Sequence, residues 1–137
     1  MNLEGIINIS GKPGLYKVIS QGNNTVIVES LIDGKKTPLH SNAQANMLEE
    51  IGIYTNDDTK PLSDIFDNIA QKENCKQTIN HKSPVSELLA YFIEILPDYD
   101  QDRVYISDIK KVFQWYNAMQ KYGLIELAEK EVTKNKI

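Results

Sequence analysis

The carboxylates best placed for chemistry in this 137-residue sequence alternate along one short segment, at Asp98, Asp100 and Asp102. Their spacing is that of the first three ligands of a calcium loop, in which alternate oxygens point toward the ion. The rest of that pattern is missing, because Arg103 stands where a glycine permits the sharp turn and Ile109 stands where a glutamate closes the shell. A cation site stays an open alternative, and the sequence favours a different use of these side chains.

That use is a structural clamp, in which the arginine pairs with the loop carboxylates between two predicted helices. The predicted clamp consists of Asp98, Asp100, Asp102, Arg103 and Asp108. Asp108 contributes by lying near the start of the second helix, where the helix dipole favours a negative charge. Such a loop holds a helical hairpin together and performs no catalysis.

The remaining side chains suited to catalysis form no recognisable group in the sequence. His40 closes a predicted strand and His81 lies in a predicted linker, so neither has the spacing of a metal ligand or of a base beside a nucleophile. We therefore expect no enzyme activity, no cofactor and no metal.

Three features indicate a cytoplasmic location without membrane association. The single cysteine, Cys75, has no partner for a disulfide or a zinc site, which favours a reducing compartment. The first residues lack the charged and apolar regions of a secretory signal. No window approaches the roughly 18 consecutive apolar residues that span a bilayer.

The charge balance argues against nucleic acid as a partner. The chain carries 15 basic and 19 acidic residues, a formal net charge of -4, and its isoelectric point is near 5.2. A protein whose affinity depends on neutralising phosphates is expected to be basic. A nucleic-acid or ribosome-associated module would require Lys12, Lys17, Lys35 and Lys36 to converge on one surface.

The sequence predicts an α+β chain in two parts. We expect an SH3-like antiparallel β-barrel with flanking helices over residues 1–73, a linker over 74–83, a helical hairpin over 84–127 and a frayed tail over 128–137. Because four short strands cannot bury both faces of a sheet, a flanking helix is expected to cover one open end of the barrel.

Patterns of apolar and turn residues place the individual elements. β-Branched and aromatic runs between turn residues indicate strands, and apolar residues at helical spacing indicate helices. In the first part, the predicted elements are a short helix over 2–9, strands over 15–20, 25–31, 37–40 and 51–55, a helical turn over 42–49 and a helix over 61–70.

The two helices of the hairpin carry their own start and stop signals. Ser83 and Pro84 have the character of an N-cap and a first helical residue, followed by a long apolar stripe. Ser107 is predicted to cap the second helix, and Gly123 is predicted to stop it.

Aromatic residues supply the candidate interaction surfaces. Trp115, Met119 and Tyr122 form a second apolar face on the last helix, which needs cover from elsewhere in the chain, from a second copy or from a different protein. Tyr16 and Tyr54 could grip a peptide on the barrel surface, although packing in the core is the favoured interpretation.

Several stretches, read together, resemble a known family. They are residues 9–16, residues 27–31, residues 98–105, the pair Lys110 and Lys111, and the pair Trp115 and Tyr116. The family is a bacterial group of two-part proteins of unknown function, and the resemblance covers nearly the whole chain except the linker and tail. It implies an SH3-like N-terminal domain and a helical C-terminal domain, and it transfers no catalytic or binding residue.

These observations lead to one expected function and one alternative. The absence of a catalytic group and the second apolar face favour a non-enzymatic interaction or scaffold module that binds a protein partner or a second copy of itself. The alternative is a nucleic-acid or ribosome-associated module, which rests on fold analogy.

Overall fold

The structure, a computed structural model, describes most of the chain: residues 1–12, 14–22, 25–39 and 44–125. They fold into two compact units. The sheet unit spans Asn2–Ile51, and the helical unit continues from Gly52. This division lies earlier than the predicted boundary after residue 73, because the elements between Gly52 and that point group with the C-terminal helices.

Five antiparallel strands build the sheet unit, in the order β4-β3-β2-β1-β5. The strands are β1 (Ile6–Ile9), β2 (Leu15–Gln21), β3 (Val26–Ser30), β4 (Lys36–Leu39) and β5 (Ala45–Met47). β4 and β5 are the two edges, and the described residues show no pairing between them. The α+β class is confirmed, and closure into an SH3-like barrel stays a prediction.

The prediction of a helix over residues 2–9 is wrong, because Ile6–Ile9 form β1, which lies between β2 and the edge strand β5. Ile6 and Ile7 are only 3% and 4% exposed. Neighbouring residues of a strand face opposite sides, so both faces of β1 are buried. The alternation of apolar and polar residues that marks a half-buried strand is therefore missing from this segment.

The hairpin of β2 and β3 is confirmed where turn residues predicted it. Val18 pairs with Val28, and the register then shifts, so that the next pair joins Ser20 to Ile27. The extra residue is Ile19, whose side chain is 44% exposed. A bulge of this kind bends the strand and increases its twist, which curls the sheet.

The helical turn predicted over residues 42–49 is wrong in its described part. Ala45–Met47 form the edge strand β5 beside β1, and Leu48–Glu50 form a single 3-10 turn that packs against β1. Leu48 is fully buried, whereas the three residues of β5 are exposed. Because Leu48 is the buried side chain of this short segment, the sequence lacks the alternation of apolar and polar residues that predicts a strand. Residues 40–43 lie outside the described part of the chain.

The helical unit contains a two-stranded hairpin and three helices. Its elements are β6 (Gly52–Tyr54), β7 (Thr59–Pro61), α1 (Leu62–Glu73), α2 (Val85–Ile95) and α3 (Ile106–Lys121). The strand predicted over 51–55 is confirmed as β6, but it pairs with β7 instead of the five-stranded sheet. The predicted helices are confirmed as α1, α2 and α3. None of these three helices is long and apolar enough to cross a membrane.

Aromatic rings from all three helices meet in the core of the helical unit. The edge-to-face pairs are Phe66–Tyr116, Tyr91–Phe113, Phe92–Phe113 and Phe92–Tyr99, with centroids 5.9, 5.2, 6.1 and 4.9 Å apart. Such a pair contributes about 0.5–1.5 kcal/mol beyond its buried area. Because Phe113 and Tyr116 both lie on α3, this helix contacts α1 and α2 at once.

Hydrogen bonds hold residues 74–83, the predicted linker, against α3. The Asn117 side chain on α3 accepts the backbone N–H of Thr78 at 2.8 Å and donates to two carbonyls of the same segment at 3.3 Å. The Tyr116 hydroxyl donates to the carbonyl of Lys76 at 2.8 Å. The segment is therefore fastened along α3 and belongs to the helical unit.

The C-terminal end of α3 agrees with the sequence. Gly123, the predicted stop, has a φ of +86° and donates its N–H to the carbonyl of Gln120 at 3.0 Å. The N–H of Leu124 donates to the carbonyl of Met119 at 2.9 Å, which completes a Schellman motif. The tail predicted over 128–137 lies outside the described residues.

The N-terminal ends of the hairpin helices differ from the prediction, because neither serine is an N-cap. Tyr105 is the N-cap of α3, and its backbone N–H donates to the Asp108 carboxylate at 3.0 Å, while Ser107 lies inside the first turn. Pro84 is the N-cap of α2, with no side-chain cap hydrogen bond. The ring of Pro84 fixes its φ at -55°, and α2 begins directly after this residue.

Replacing Asn117 with alanine is expected to lower the free energy of unfolding by about 1–3 kcal/mol, because backbone groups of the 74–83 segment lose their hydrogen-bond partner. Urea unfolding followed by circular dichroism measures this change. The matched control is Gln114→Ala, an exposed amide on the same helix, for which a change within about 0.5 kcal/mol is expected. Equal losses in both variants would show that the Asn117 side chain does not hold the segment.

Candidate functional site

Asp100 is the centre of the segment in which the clamp was predicted. One carboxylate oxygen, Oδ2, accepts Nε of Arg103 at 2.8 Å. The other, Oδ1, accepts the backbone N–H of Asp102 at 2.9 Å and that of Arg103 at 3.3 Å. The hydrogen bond from the arginine, followed by that from the Asp102 N–H, lowers the pKa of the Asp100 carboxyl. The side chain thus closes its own turn and holds the cation beside it.

The structure does not bring all five clamp residues to one point. The Asp108 carboxylate accepts the Tyr105 N–H at the start of α3. Asp98 and Asp102 have exposed positions on the loop. Among the described residues, no group of three acidic, histidine or cysteine side chains could hold a metal ion.

Arg103 also joins this loop to β6. Its guanidinium carbon lies 4.4 Å from the centroid of the Tyr54 ring, and the N–H of Asp100 donates to the Tyr54 carbonyl at 2.9 Å. Tyr99 forms an isolated antiparallel bridge with Thr55. One face of the Tyr54 ring is therefore covered by a cation, although 46% of the residue stays exposed. These contacts stiffen the loop.

The apolar face predicted on α3 is largely covered within the chain, which is one of the three kinds of cover that the sequence left open. Trp115 is 9% exposed and Met119 is completely buried. Tyr122 is partly exposed at the C-cap of α3. A partner could not reach the first two side chains without partial unfolding of the chain.

A groove of about 160 Å³ in the sheet unit is a better candidate for binding. Ile9 and Val28 form its floor as part of a buried cluster, and Tyr16 and Leu39 pack against that cluster. Pro38 adds an apolar wall from the edge strand β4. Small-molecule sites usually measure roughly 300–1,000 Å³. The groove is thus sized for one or two side chains of a larger partner.

Polar groups line the remaining side of the groove. They are Ser10, Lys12, Thr37 and Gln44. The backbone N–H of Ser10 donates to the carbonyl of Gln44 at 2.9 Å, so this wall is anchored to the start of β5. Lys12 is exposed and is the charged residue among those that line the groove. An apolar floor beside a lysine suits a ligand that combines an apolar side chain with a carboxylate.

The lysines required for nucleic-acid binding do not form an uninterrupted row. Glu29 on β3 lies opposite Lys17 on β2 and opposite Lys36 on β4. Directly opposed residues of neighbouring strands lie on one face, so a carboxylate separates these two cations. This arrangement weakens the positive field that phosphate binding requires.

Tyr16 was among the candidate interaction residues, and most other residues that line the groove were not predicted. Ile9 was hidden by the wrong assignment of β1, and Gln44 comes next to the unpredicted strand β5. The available signal was Pro38, because a proline within a strand indicates an edge. An edge strand is where a sheet has backbone groups free to meet a partner.

The two family models that match the chain meet close to the boundary between its two units. A domain of unknown function, DUF5606, matches residues 3–48, and a second, DUF6852, matches residues 51–119. The chain is 43% identical to a protein from Bacteroides vulgatus with a solution NMR structure, a target of the Northeast Structural Genomics Consortium. The alignment covers 92% of this chain and 91% of that one, with a TM-score of 0.75. No curated protein matches the chain significantly.

The variant Asp100→Asn is expected to melt at a lower temperature than the wild type at neutral pH and at the same temperature in strong acid. The folded protein lowers the pKa of this carboxyl, so its contribution to stability is complete above the unfolded value of about 3.9. That contribution is lost as the pH falls through the folded pKa. Melting temperatures measured across the acid range test this.

The matched control for this experiment is Asp102→Asn, which removes a charge from the same loop and leaves the Asp100–Arg103 pair intact. We expect its melting temperature to follow that of the wild type at every pH. A difference between Asp100→Asn and wild type that does not shrink in acid would contradict the clamp.

Proposed function

We propose a non-enzymatic protein-interaction function for this chain, which belongs to the bacterial family defined by the domains of unknown function DUF5606 and DUF6852. The observation that carries the proposal is the groove of the sheet unit, with its apolar floor and its lysine. We propose no turnover and no cofactor for the chain. We also propose a cytoplasmic location, because the single cysteine, Cys75, cannot form a disulfide within the chain and suits a reducing compartment.

The proposed ligand is an extended peptide segment. Its anchor is one apolar side chain that enters the groove above Ile9 and Val28, both of which are almost completely buried. Insertion of such a side chain removes apolar surface from water at a stabilisation of about 25 cal/mol per Å². Tyr16 offers the amphipathic ring that is common at protein interfaces.

An acidic residue beside the anchor completes the proposed ligand. Lys12 lies at the rim of the groove. When a ligand covers the groove, water is partly excluded there, and the ammonium of Lys12 can pair with a carboxylate of the ligand. Ser10 and Thr37 add hydroxyl groups that donate or accept hydrogen bonds along the peptide. Charged contacts of this kind fix the orientation of a ligand more than they raise its affinity.

The edges of the sheet support an extended ligand. The groove reaches from β4, through Thr37 and Leu39, to Gln44 before β5. These are the two edge strands, so each has one side of its backbone without a strand partner in the described sheet. Peptides commonly bind by adding backbone hydrogen bonds at such an edge. A curled five-stranded antiparallel sheet also supports the SH3-like part of the proposal, and SH3 domains bind extended peptides.

Selection from a library of displayed random peptides is expected to return sequences with an apolar residue next to an acidic one. A selected peptide should bind Lys12→Glu at least about 10-fold more weakly than the wild type, because attraction becomes repulsion at the rim. Isothermal titration calorimetry measures both dissociation constants.

The matched control is Lys35→Glu, the same charge reversal at an exposed position of the sheet unit that does not line the groove. We expect binding within about twofold of the wild type. Peptides without an acidic residue, or equal weakening by the two variants, would count against this assignment of the groove.

A further inference from the structure

Helix α2 carries an apolar stripe that faces solvent. Val85 is 47% exposed and Ile93 is 44% exposed. Leu89, which is partly exposed, lies between them at four-residue spacing. Exposed Ala90 continues the apolar surface on one side. Contiguous apolar surface on a helix that already buries its other face is typical of an interface.

A second copy of this chain fits the stripe. Residues at every fourth position form the ridge that packs into the grooves of a neighbouring helix. Consider two α2 helices that lie antiparallel with their Leu89 residues facing each other. Val85 of each copy then lies opposite Ile93 of the other, because both residues are four positions from Leu89. The stripe, defined as Val85, Leu89 and Ile93, is therefore complementary to itself under a two-fold axis.

Charged residues near the two ends of α2 favour the antiparallel direction. Lys82 precedes the helix, whereas Glu94 and Asp98 lie at its other end, and all three are exposed. An antiparallel pair brings each lysine to the acidic end of the other copy, while a parallel pair brings like charges together. Glu94 already pairs with Lys72, so Asp98 is the carboxylate available to Lys82.

We propose that the chain self-associates through the α2 stripe as an antiparallel two-fold dimer, with reciprocal pairing of Lys82 and Asp98 at its two ends. This inference is independent of the peptide groove, which lies in the other unit. The stripe is smaller than the roughly 800 Å² per partner of a standard interface, so the dimer dissociates in the micromolar range or above. Its formation would present two grooves in one particle, which raises avidity for a repeated ligand.

A pair of complementary charge reversals tests the arrangement with the full chain. In Lys82→Glu alone, acidic groups meet at both ends of the dimer, and in Asp98→Lys alone, basic groups meet there. An equimolar mixture of the two variants forms a heterodimer in which both end contacts are attractive again. We expect each single variant to raise the dimer dissociation constant at least about 10-fold, and the mixture to return within about threefold of the wild type. Sedimentation equilibrium at low salt measures these constants.

Two further variants separate the stripe from the rest of the surface. Ile93→Glu is expected to abolish the dimer, and circular dichroism establishes that it stays folded. Glu87→Lys, on an exposed part of α2 away from the stripe, is expected to leave the dissociation constant unchanged within about threefold. A wild type that stays monomeric at millimolar concentration overturns the proposal. Failure of the mixture to restore association overturns it as well.

Discussion

The helical unit depends on the burial of two neighbouring aromatic residues of α3. Phe113 contacts Tyr91 and Phe92 on α2, and Tyr116 contacts Phe66 on α1. Edge-to-face packing fixes ring orientation as well as distance, so one helix sets the positions of the other two. The Tyr116 hydroxyl is buried with its ring, and burial is the main reason that its pKa is raised. Its bond to a carbonyl of the 74–83 segment satisfies the hydroxyl without weakening the core.

The polar contacts of this unit are also structural, because they join groups of the unit to one another. Asp100, Asn117 and Tyr91 each bind a group of their own unit: the Arg103 guanidinium, the backbone of the 74–83 segment and the Glu73 carboxylate. Burial, and then the contact with Glu73, raises the pKa of the Tyr91 hydroxyl, so this group stays protonated and donates. Side chains committed to the fold in this way are not free to act on a ligand. The proposed recognition surfaces lie elsewhere, in the sheet unit and on the outer face of α2.

Local signals in the sequence predicted local structure. The features that were missed depend on contacts between residues that are far apart in the chain. The β2–β3 hairpin, the three helices and the stop at Gly123 each depend on residues close together in the chain. β1 was missed because both of its faces are buried, so apolar residues occur without alternation. The cover of Trp115 was left open between the same chain, a second copy and a different protein, because helical spacing gives a face and not what covers it. Asn117 could not be identified, since a polar residue on a helix reveals its partner only when the fold brings that partner close.

The position of β1 between β2 and β5 imposes an order of events on a growing chain. β1 to β4 form a meander of neighbours, so each strand can pair soon after it leaves the ribosome. Of the five strands, β1 leaves the ribosome first, whereas its neighbour β5 leaves last. Ile9 of β1 pairs with Ala45 of β5. Until residues 45–47 emerge, one side of an almost entirely apolar strand has no hydrogen-bond partner. That interval is the vulnerable time in the synthesis of this protein, when another open strand edge could take the place of β5.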